Sequence, residues 1–293
     1  MQNNSLKFTL LMIFAMLLWG GGWTALKILT LSVGVEVLTF WRFVIMFIGF
    51  IPILLFFGQP LKLPKKSFKY MLVGSILNIL FMFFAYLGVK FSNAGSGGVI
   101  ITILSPLFTF ILSLLILKHV HTMTQYIGLI IGIIGGIIML DLQNIAWDNV
   151  LHSGEPYFVL AAITWALITL TSQKSHIHIN PIHYSFFISA ISMIILFVLT
   201  LPYDVTVVFE QDGRFWTALL YLGILGQSVA TTIFFVASGR LGSSKASSFM
   251  FLIPLFALLV SYLILDEAMQ MHVILGGTVS LIAVYFINKR AKD

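Results

Sequence analysis

A chain of 293 residues that is 59% hydrophobic and only 9% charged, with a mean hydropathy of +1.05, is not built for water. A soluble protein carries roughly 25% charged residues, so lipid is the solvent for most of this one. The formal net charge of +6 comes from basic residues scattered between apolar stretches, which excludes nucleic acid as a partner, and the lack of cysteine excludes disulfides, zinc thiolates and thiol catalysis.

A membrane-crossing helix needs ~20 mostly apolar residues. The first such stretch runs from about 8 to 29. Lys7 precedes it as in a signal peptide, but no Ala-x-Ala-like cleavage site follows and the run continues through Trp19 and Trp23, so it reads as an uncleaved first span. Spans two to five follow at about 36–57, 67–89, 95–117 and 122–141. A polar segment from Leu142 to about Ser153, carrying Asp148 and Asn149, joins them to five more, at about 154–173, 180–202, 215–238, 246–265 and 270–288. Turn signals punctuate the series at Gly58-Gln-Pro60, Ser92-Asn-Ala-Gly95, Asn180-Pro181, Gly239 and Gly242. The predicted fold class is an all-α polytopic membrane protein.

The two groups of five are copies. Leu104 to Leu117 lies over Leu252 to Leu265 at an offset of 148 residues, with Pro106 on Pro254 and Ser113 on Ser261, and Gly128 recurring as Gly276 extends the register. Residues 1–146 and 147–293 are therefore expected to be two five-helix repeats. Five is odd, so the second copy enters the membrane from the opposite side and the halves are inverted repeats, the basis of alternating access in transporters. Placing both termini in the cytoplasm puts twelve of the sixteen Lys and Arg residues inside, among them Lys62, Lys65, Lys66, Lys69, Lys118 and Lys174, as the positive-inside rule requires.

These features resemble the drug/metabolite transporter superfamily, and within it the EamA-like ten-helix transporters. The resemblance rests on Leu18-Trp-Gly-Gly-Gly-Trp23, Phe40-Trp-Arg-Phe43, Ala94 with Leu104-Ser-Pro-Leu-Phe108, Ala246-Ser-Ser with Leu252-Ile-Pro-Leu-Phe256, and Leu265-Asp-Glu267 before the last span. It covers nearly the whole chain. One departure is that the acid after the Pro-bearing helix, Glu267 in the second copy, is His119 in the first. The resemblance implies export or exchange of small metabolites, amino acids among them, through a central cavity lined mainly by spans 1, 3, 4, 6, 8 and 9.

Within those spans the candidate substrate-binding residues are Trp19, Trp23, Asn78, Tyr86, Thr102, Trp165, Thr169, Gln227, Thr231 and Ser248. Aromatics with amides and hydroxyls make a lining suited to zwitterions with apolar side chains. The competing reading is that Trp and Tyr mark membrane interfaces while Ser and Thr join helices. Trp19 and Trp165 occupy nearly matched places in the two copies. Pro106 and Pro254 cannot donate to the carbonyl four residues back, which makes them a candidate pair of hinges, or simply prolines that membrane helices tolerate. Arg42 is the one full charge well inside a span; with span two expected at the periphery, it is read as snorkelling outward to Glu36 or to lipid phosphate. Gly128, Gly132 and Gly136 have the spacing of a close helix contact, a scaffold contact or a homodimer face. His119/His121 and His176/His178 sit in connections beside Lys118 and Lys174 with no acid or thiol near, so no metal is expected there.

No Asp or Glu lies centrally in any span, so coupling to protons or sodium through a buried carboxylate is not expected; exchange or an acid at a span end, such as Asp266 or Glu267, remains. The glycine-rich stretches lack the Gly-Lys-Ser/Thr ending that grips phosphates, so neither ATP nor any other cofactor is expected. The leading reading is a secondary transporter exporting or exchanging amino acids or related zwitterions across the inner (plasma) membrane, with membrane lipid and a small-molecule substrate as partners. Nucleotide-sugar or sugar-phosphate exchange comes second. An intramembrane enzyme comes third, since no convergent acid/base cluster is present.

Overall fold

In hydrocarbon every backbone N–H and C=O must find its partner within the chain, and long apolar runs satisfy that demand by coiling. The structure, a computed structural model, describes residues 2–58, 65–91, 94–139, 154–265 and 271–288, and among these no strand occurs. Among the described residues nine helices are long and apolar enough to cross a bilayer and a tenth, Met123–Met139, is shorter. In chain order span 1 is Gln2–Thr30, span 2 Val35–Phe56, span 3 Phe68–Phe91, span 4 Ala94–Leu117 and span 5 Met123–Met139. Span 6 is Glu155–Ser175, span 7 Pro181–Leu199 and span 8 Gly213–Leu241. Span 9 combines Ser243–Ser248, a 3-10 turn at Phe249–Leu252 and Ile253–Leu265; span 10 is Met271–Asn288. The expected joint at 142–153, with Asp148 and Asn149, lies outside the described residues, as do Asp266 and Glu267.

Local chemistry sets the span ends. Asn180 Oδ1 accepts from the Ile182 N–H at 2.9 Å, with Pro181 at the first helical position. Asp212 caps span 8 by accepting from Phe215 N at 2.8 Å. Gly242, at φ +91°, turns the chain between spans 8 and 9 in a conformation that costs a residue with a Cβ dearly.

The packing repeats itself when the halves are exchanged. Span 3 packs on span 6 as span 8 packs on span 1; span 4 on span 6 as span 9 on span 1; span 2 on span 8 as span 7 on span 3. Spans 5 and 10 pair with each other, and so do spans 2 and 7. The 5–10 pair reads out the symmetry residue by residue. Gly128 abuts Ala283 and Ile287, while Gly276 abuts Gly135 and Met139, and each contact maps onto the other at the offset of 148. Positions that rise along span 5 meet positions that fall along span 10, so equivalent helices run antiparallel and the two copies are inverted. Phe47 against Phe186 (5.2 Å) and Phe40 against Phe197 (6.2 Å) show the same antiparallel run between spans 2 and 7.

Of the two readings of the span 5 glycines, scaffold contact or dimer face, the first holds. The glycine face of span 5 is used inside the molecule: Gly128 and Gly135 meet span 10, Gly132 meets Phe251 of span 9, and Gly136 meets Ile103 of span 4. Missing Cβ atoms let backbones approach where lipid offers no hydrophobic drive between helices, so these glycines are not a dimer face. The surface left to lipid is Ile127, Ile130, Ile134 and Ile137.

Candidate functional site

Two local irregularities shape the centre. Span 8 winds as a π-helix from Tyr221 to Ala230, a rare form that clusters at functional sites. Ser228 and Thr231 hydroxyls follow its wider pitch by donating to carbonyls five residues back, on Gly223 and Gly226, at 3.0 and 3.3 Å. In span 9 the proline removes the donor owed to Met250 O, and the 3-10 turn replaces it with the Ile253 N–H.

Around these segments lies a cavity of about 90 Å³. Its wall includes Trp19 and Trp23 of span 1, Arg42 of span 2, Phe81 and Tyr86 of span 3, Thr102 of span 4, Trp165 of span 6, Gln227 of span 8, and Met250 and Ile253 of span 9. Six of the ten candidate binding residues are thus brought together: Trp19, Trp23, Tyr86, Thr102, Trp165 and Gln227. The wall lies near the middle of the spans or in their halves remote from Gln2 and Asn288, so the cavity belongs to the face away from the termini.

Its floor is aromatic. Trp19 and Trp165 meet edge to face at 5.1 Å, and since they are the matched pair of the two copies, their contact straddles the pseudo-two-fold axis. Phe81 packs on Trp165 at 4.8 Å and Phe234 on Trp19 at 5.2 Å, with Phe235 behind. Trp19 Nε1 donates to Gly226 O in the π segment at 2.8 Å, and Tyr221 Oη donates to Leu18 O at 2.8 Å, which tie span 1 to span 8.

The other four candidates, Asn78, Thr169, Thr231 and Ser248, are buried on the termini side of this floor, off the cavity wall. Thr169 donates to Trp165 O at 2.9 Å, Thr231 to Gln227 Oε1 at 3.3 Å, and Ser248 to Lys245 O at 2.7 Å while accepting from Asn288 Nδ2 at 3.0 Å. Asn78 Oδ1 has no partner. That side is shut by polar latches. Gln173 Oε1 accepts from Ser243 N at 2.9 Å, and His176 Nε2 donates to Phe235 O at 2.9 Å. Ser113 Oγ lies 2.8 Å from His121 Nε2 and 2.9 Å from Ser244 Oγ. Burial holds both imidazoles below the ordinary histidine value, with His119 beside His121 and Arg240 beside His176 adding to the effect.

Of the two hinge candidates, Pro254 follows the 3-10 turn directly, whereas Pro106 sits in a helix unbroken from Ala94 to Leu117. Arg42 departs from its expected course. It does not reach outward to Glu36; its Nη1 donates to Tyr86 Oη at 2.8 Å and it lines the cavity, bringing span 2 into the wall. Seven residues from the helix start put it roughly 10 Å below the span's end, and the nearest polar group is the tyrosine inside. Its being the single charge deep in a span was the available signal.

A multi-pass, all-helical bundle of two inverted halves enclosing a small central cavity is the build of a secondary transporter. A family model described as the EamA-like transporter family matches residues 6–140 and 152–289, and the chain belongs to that family. It is a transporter of small molecules and not an enzyme. Similar proteins include an uncharacterized transporter, YoaV, of Bacillus subtilis (23% identical over 275 residues, 92% of this chain and 93% of that one). Another is an uncharacterized transporter of Synechocystis, 26% identical over 308 residues, 98% of this chain and 92% of its own. An S-adenosylmethionine uptake transporter of Rickettsia prowazekii is 22% identical over 250 residues, 85% and 81% of the two chains. A crystal structure of another protein shares the fold at a TM-score of 0.75 with 18% identity, covering 96% of this chain and 98% of that one.

Proposed function

We propose that the protein exports or exchanges small zwitterionic metabolites, amino acids above all, across the inner (plasma) membrane by alternating access, with both termini cytoplasmic. The observation that carries this reading is the cavity itself: small, closed at its floor by the Trp19–Trp165 pair, and furnished with an amide, hydroxyls and one cation. Aromatic faces attract an ammonium group. Pro106, moreover, has no N–H to give the carbonyl of wall residue Thr102, four residues back. A cavity of about 90 Å³ suits a solute of amino-acid size and is far below the ~300–1,000 Å³ of pockets that enclose drug-sized ligands. That size disfavours nucleotide sugars.

Among the described residues no carboxylate lines the cavity, which favours exchange down solute gradients over coupling through a buried acid. In this reading the structure is outward-facing, and Asn78, Thr169, Thr231 and Ser248 become wall residues when the termini side opens. Counterflow into proteoliposomes preloaded with a mixture of amino acids tests it. Labelled amino acids should accumulate, and labelled nucleotide sugars should not. Accumulation of nucleotide sugars alone, or of neither, overturns the substrate assignment.

A further inference from the structure

Among the described residues Arg42 is the one cation on the cavity wall, and half of its guanidinium has no partner. The nitrogen bonded to Tyr86 Oη is Nη1, the one on the same side as Cδ, at 2.8 Å. The tyrosine ring also lies beneath the guanidinium, 5.8 Å from Cζ to ring centroid, and Tyr86 is fully buried. Tyr86 therefore braces the group from one side. What remains is the opposite edge, where Nε–H and an Nη2–H point in parallel. Nε is buried and has no partner.

An unpaired cation held in a low-dielectric wall is costly, and such charges find a counter-ion or carry function. No acid among the described residues supplies one. Glu36, on the same helix, sits in its first turn, and six residues of separation put it on another face. A second buried donor on the same wall, Trp165 Nε1, also lacks an acceptor. Two buried N–H donors without an acceptor, both on residues that line one small cavity, call for a ligand rich in acceptor oxygens.

We infer that the Nε–Nη2 edge of Arg42 receives the carboxylate of the transported molecule, with Tyr86 as the residue that positions the guanidinium. The parallel pair of donors matches the two oxygens of a planar carboxylate side-on. One positive charge balances one carboxylate. A phosphate dianion would need a second cation, and no other described wall residue provides it. This subsite rests on the small-metabolite reading of the cavity given above, and it narrows the substrate to molecules bearing a carboxylate.

The test uses the full-length protein in lipid nanodiscs, with the fluorescence of Trp19, Trp23 and Trp165 as the binding signal. The probes are L-valine, isovalerate, which keeps the carboxylate and lacks the amine, isobutylamine, which keeps the amine and lacks the carboxylate, and inorganic phosphate. Wild-type protein should bind valine and isovalerate in preference to isobutylamine and phosphate. Arg42→Gln should weaken valine and isovalerate at least tenfold and leave isobutylamine unchanged. Arg42→Lys keeps the charge and guards against a folding defect; losing the paired donors, it should fall between the two. Tyr86→Phe should weaken both carboxylates by a few fold. Equal weakening of all probes, carboxylates indifferent to Arg42→Gln and Arg42→Lys, or phosphate preferred over every carboxylate would each overturn the assignment. If no carboxylate binds the wild type, the subsite fails. If carboxylates bind through Arg42 while no amino acid passes in the flux assay, the subsite stands and the zwitterion reading fails.

Discussion

Span 4 and span 9 carry the same proline in the same local sequence, yet they are built differently. Around Pro106 the helix runs unbroken; before Pro254 it passes through a 3-10 turn, Phe249–Leu252. The surroundings differ in the same sense. Halves of the spans remote from the termini part around a cavity, whereas the termini side is packed with aromatics and latched by Gln173, His121 and His176. Near-equal sequences in unequal conformations are what an inverted-repeat transporter must show in any state open to one face. Exchanging the two conformations then generates the state open to the other. The difference thus records which face is open, and the similarity records that the roles can be exchanged.

The largest effect that would sharpen this comparison concerns the scaffold that both states share. A Cβ at Gly128 would lie 2.9 Å from Ile287 N and 3.0 Å from Ala283 O, and one at Gly276 would run into Gly135 O and lie 3.0 Å from Met139 N, so overlap falls on backbone that cannot step aside. Gly128→Ala and Gly276→Ala should each cost about 1–3 kcal/mol and lower the thermal unfolding midpoint similarly, because the contacts are symmetry mates. Gly213→Ala, with nothing within 4 Å of the added atom, serves as the neutral control. Unequal losses at the two mates would break the symmetry argument.

Next comes the floor. Trp19→Ala and Trp165→Ala each remove half of the edge-to-face contact, a pair worth roughly 0.5–1.5 kcal/mol beyond its buried area. Transport should fall at least tenfold in both, with comparable magnitudes, as measured by counterflow. A variant that transports normally would remove the axial pair from the site.

The prolines should separate the copies more finely. Pro254→Ala returns a donor for Met250 O, so the 3-10 turn loses its cause and the turnover rate should drop several fold with little change in binding. Pro106→Ala should slow the opposite conformational step. Measuring both against substrate affinity tells a hinge from a wall residue.

The smallest expected effect is a pH dependence of the termini-side latch. His121 is held below the ordinary histidine value by burial first and by His119 second. Protons therefore bind better when the latch opens and the ring is solvated. The closed latch is at full strength above the ordinary value, 6.5, and weakens as pH falls below it. Labelling of the termini side should accordingly rise on acidification, and His121→Asn should flatten that rise.

Much of this was legible in the chain because hydropathy is written residue by residue. The first span, expected at about 8–29, is Gln2–Thr30, and the fourth, expected at about 95–117, is Ala94–Leu117. The matched prolines and glycines announced the repeat, whereas the nearly matched Trp19 and Trp165 gave no sign that they meet. The π segment of span 8 was not legible: its Gly223 and Gly226 read as ordinary membrane-helix glycines until Ile45 and Trp19 are packed against them. Nor was the direction of Arg42, which depends on where Tyr86 falls across a helix interface. Four of the polar candidates lie off the wall for a different reason. Asn78, Thr169, Thr231 and Ser248 have the composition of a wall, but a single conformation lines only one side of the floor.

Absence of cysteine permits the most direct test of the central claim, that one passage opens to each face in turn. Thr102→Cys lies on the present cavity wall and Thr169→Cys beneath the aromatic floor. Each single-cysteine protein, in sealed vesicles of known orientation, is treated with a membrane-impermeant thiol reagent from one face at a time, with and without amino acids. The account predicts that position 102 reacts only from the face away from the termini and position 169 only from the termini face. It also predicts that conditions raising one rate lower the other. Reaction of both positions from the same face, or rates that rise and fall together, would contradict it.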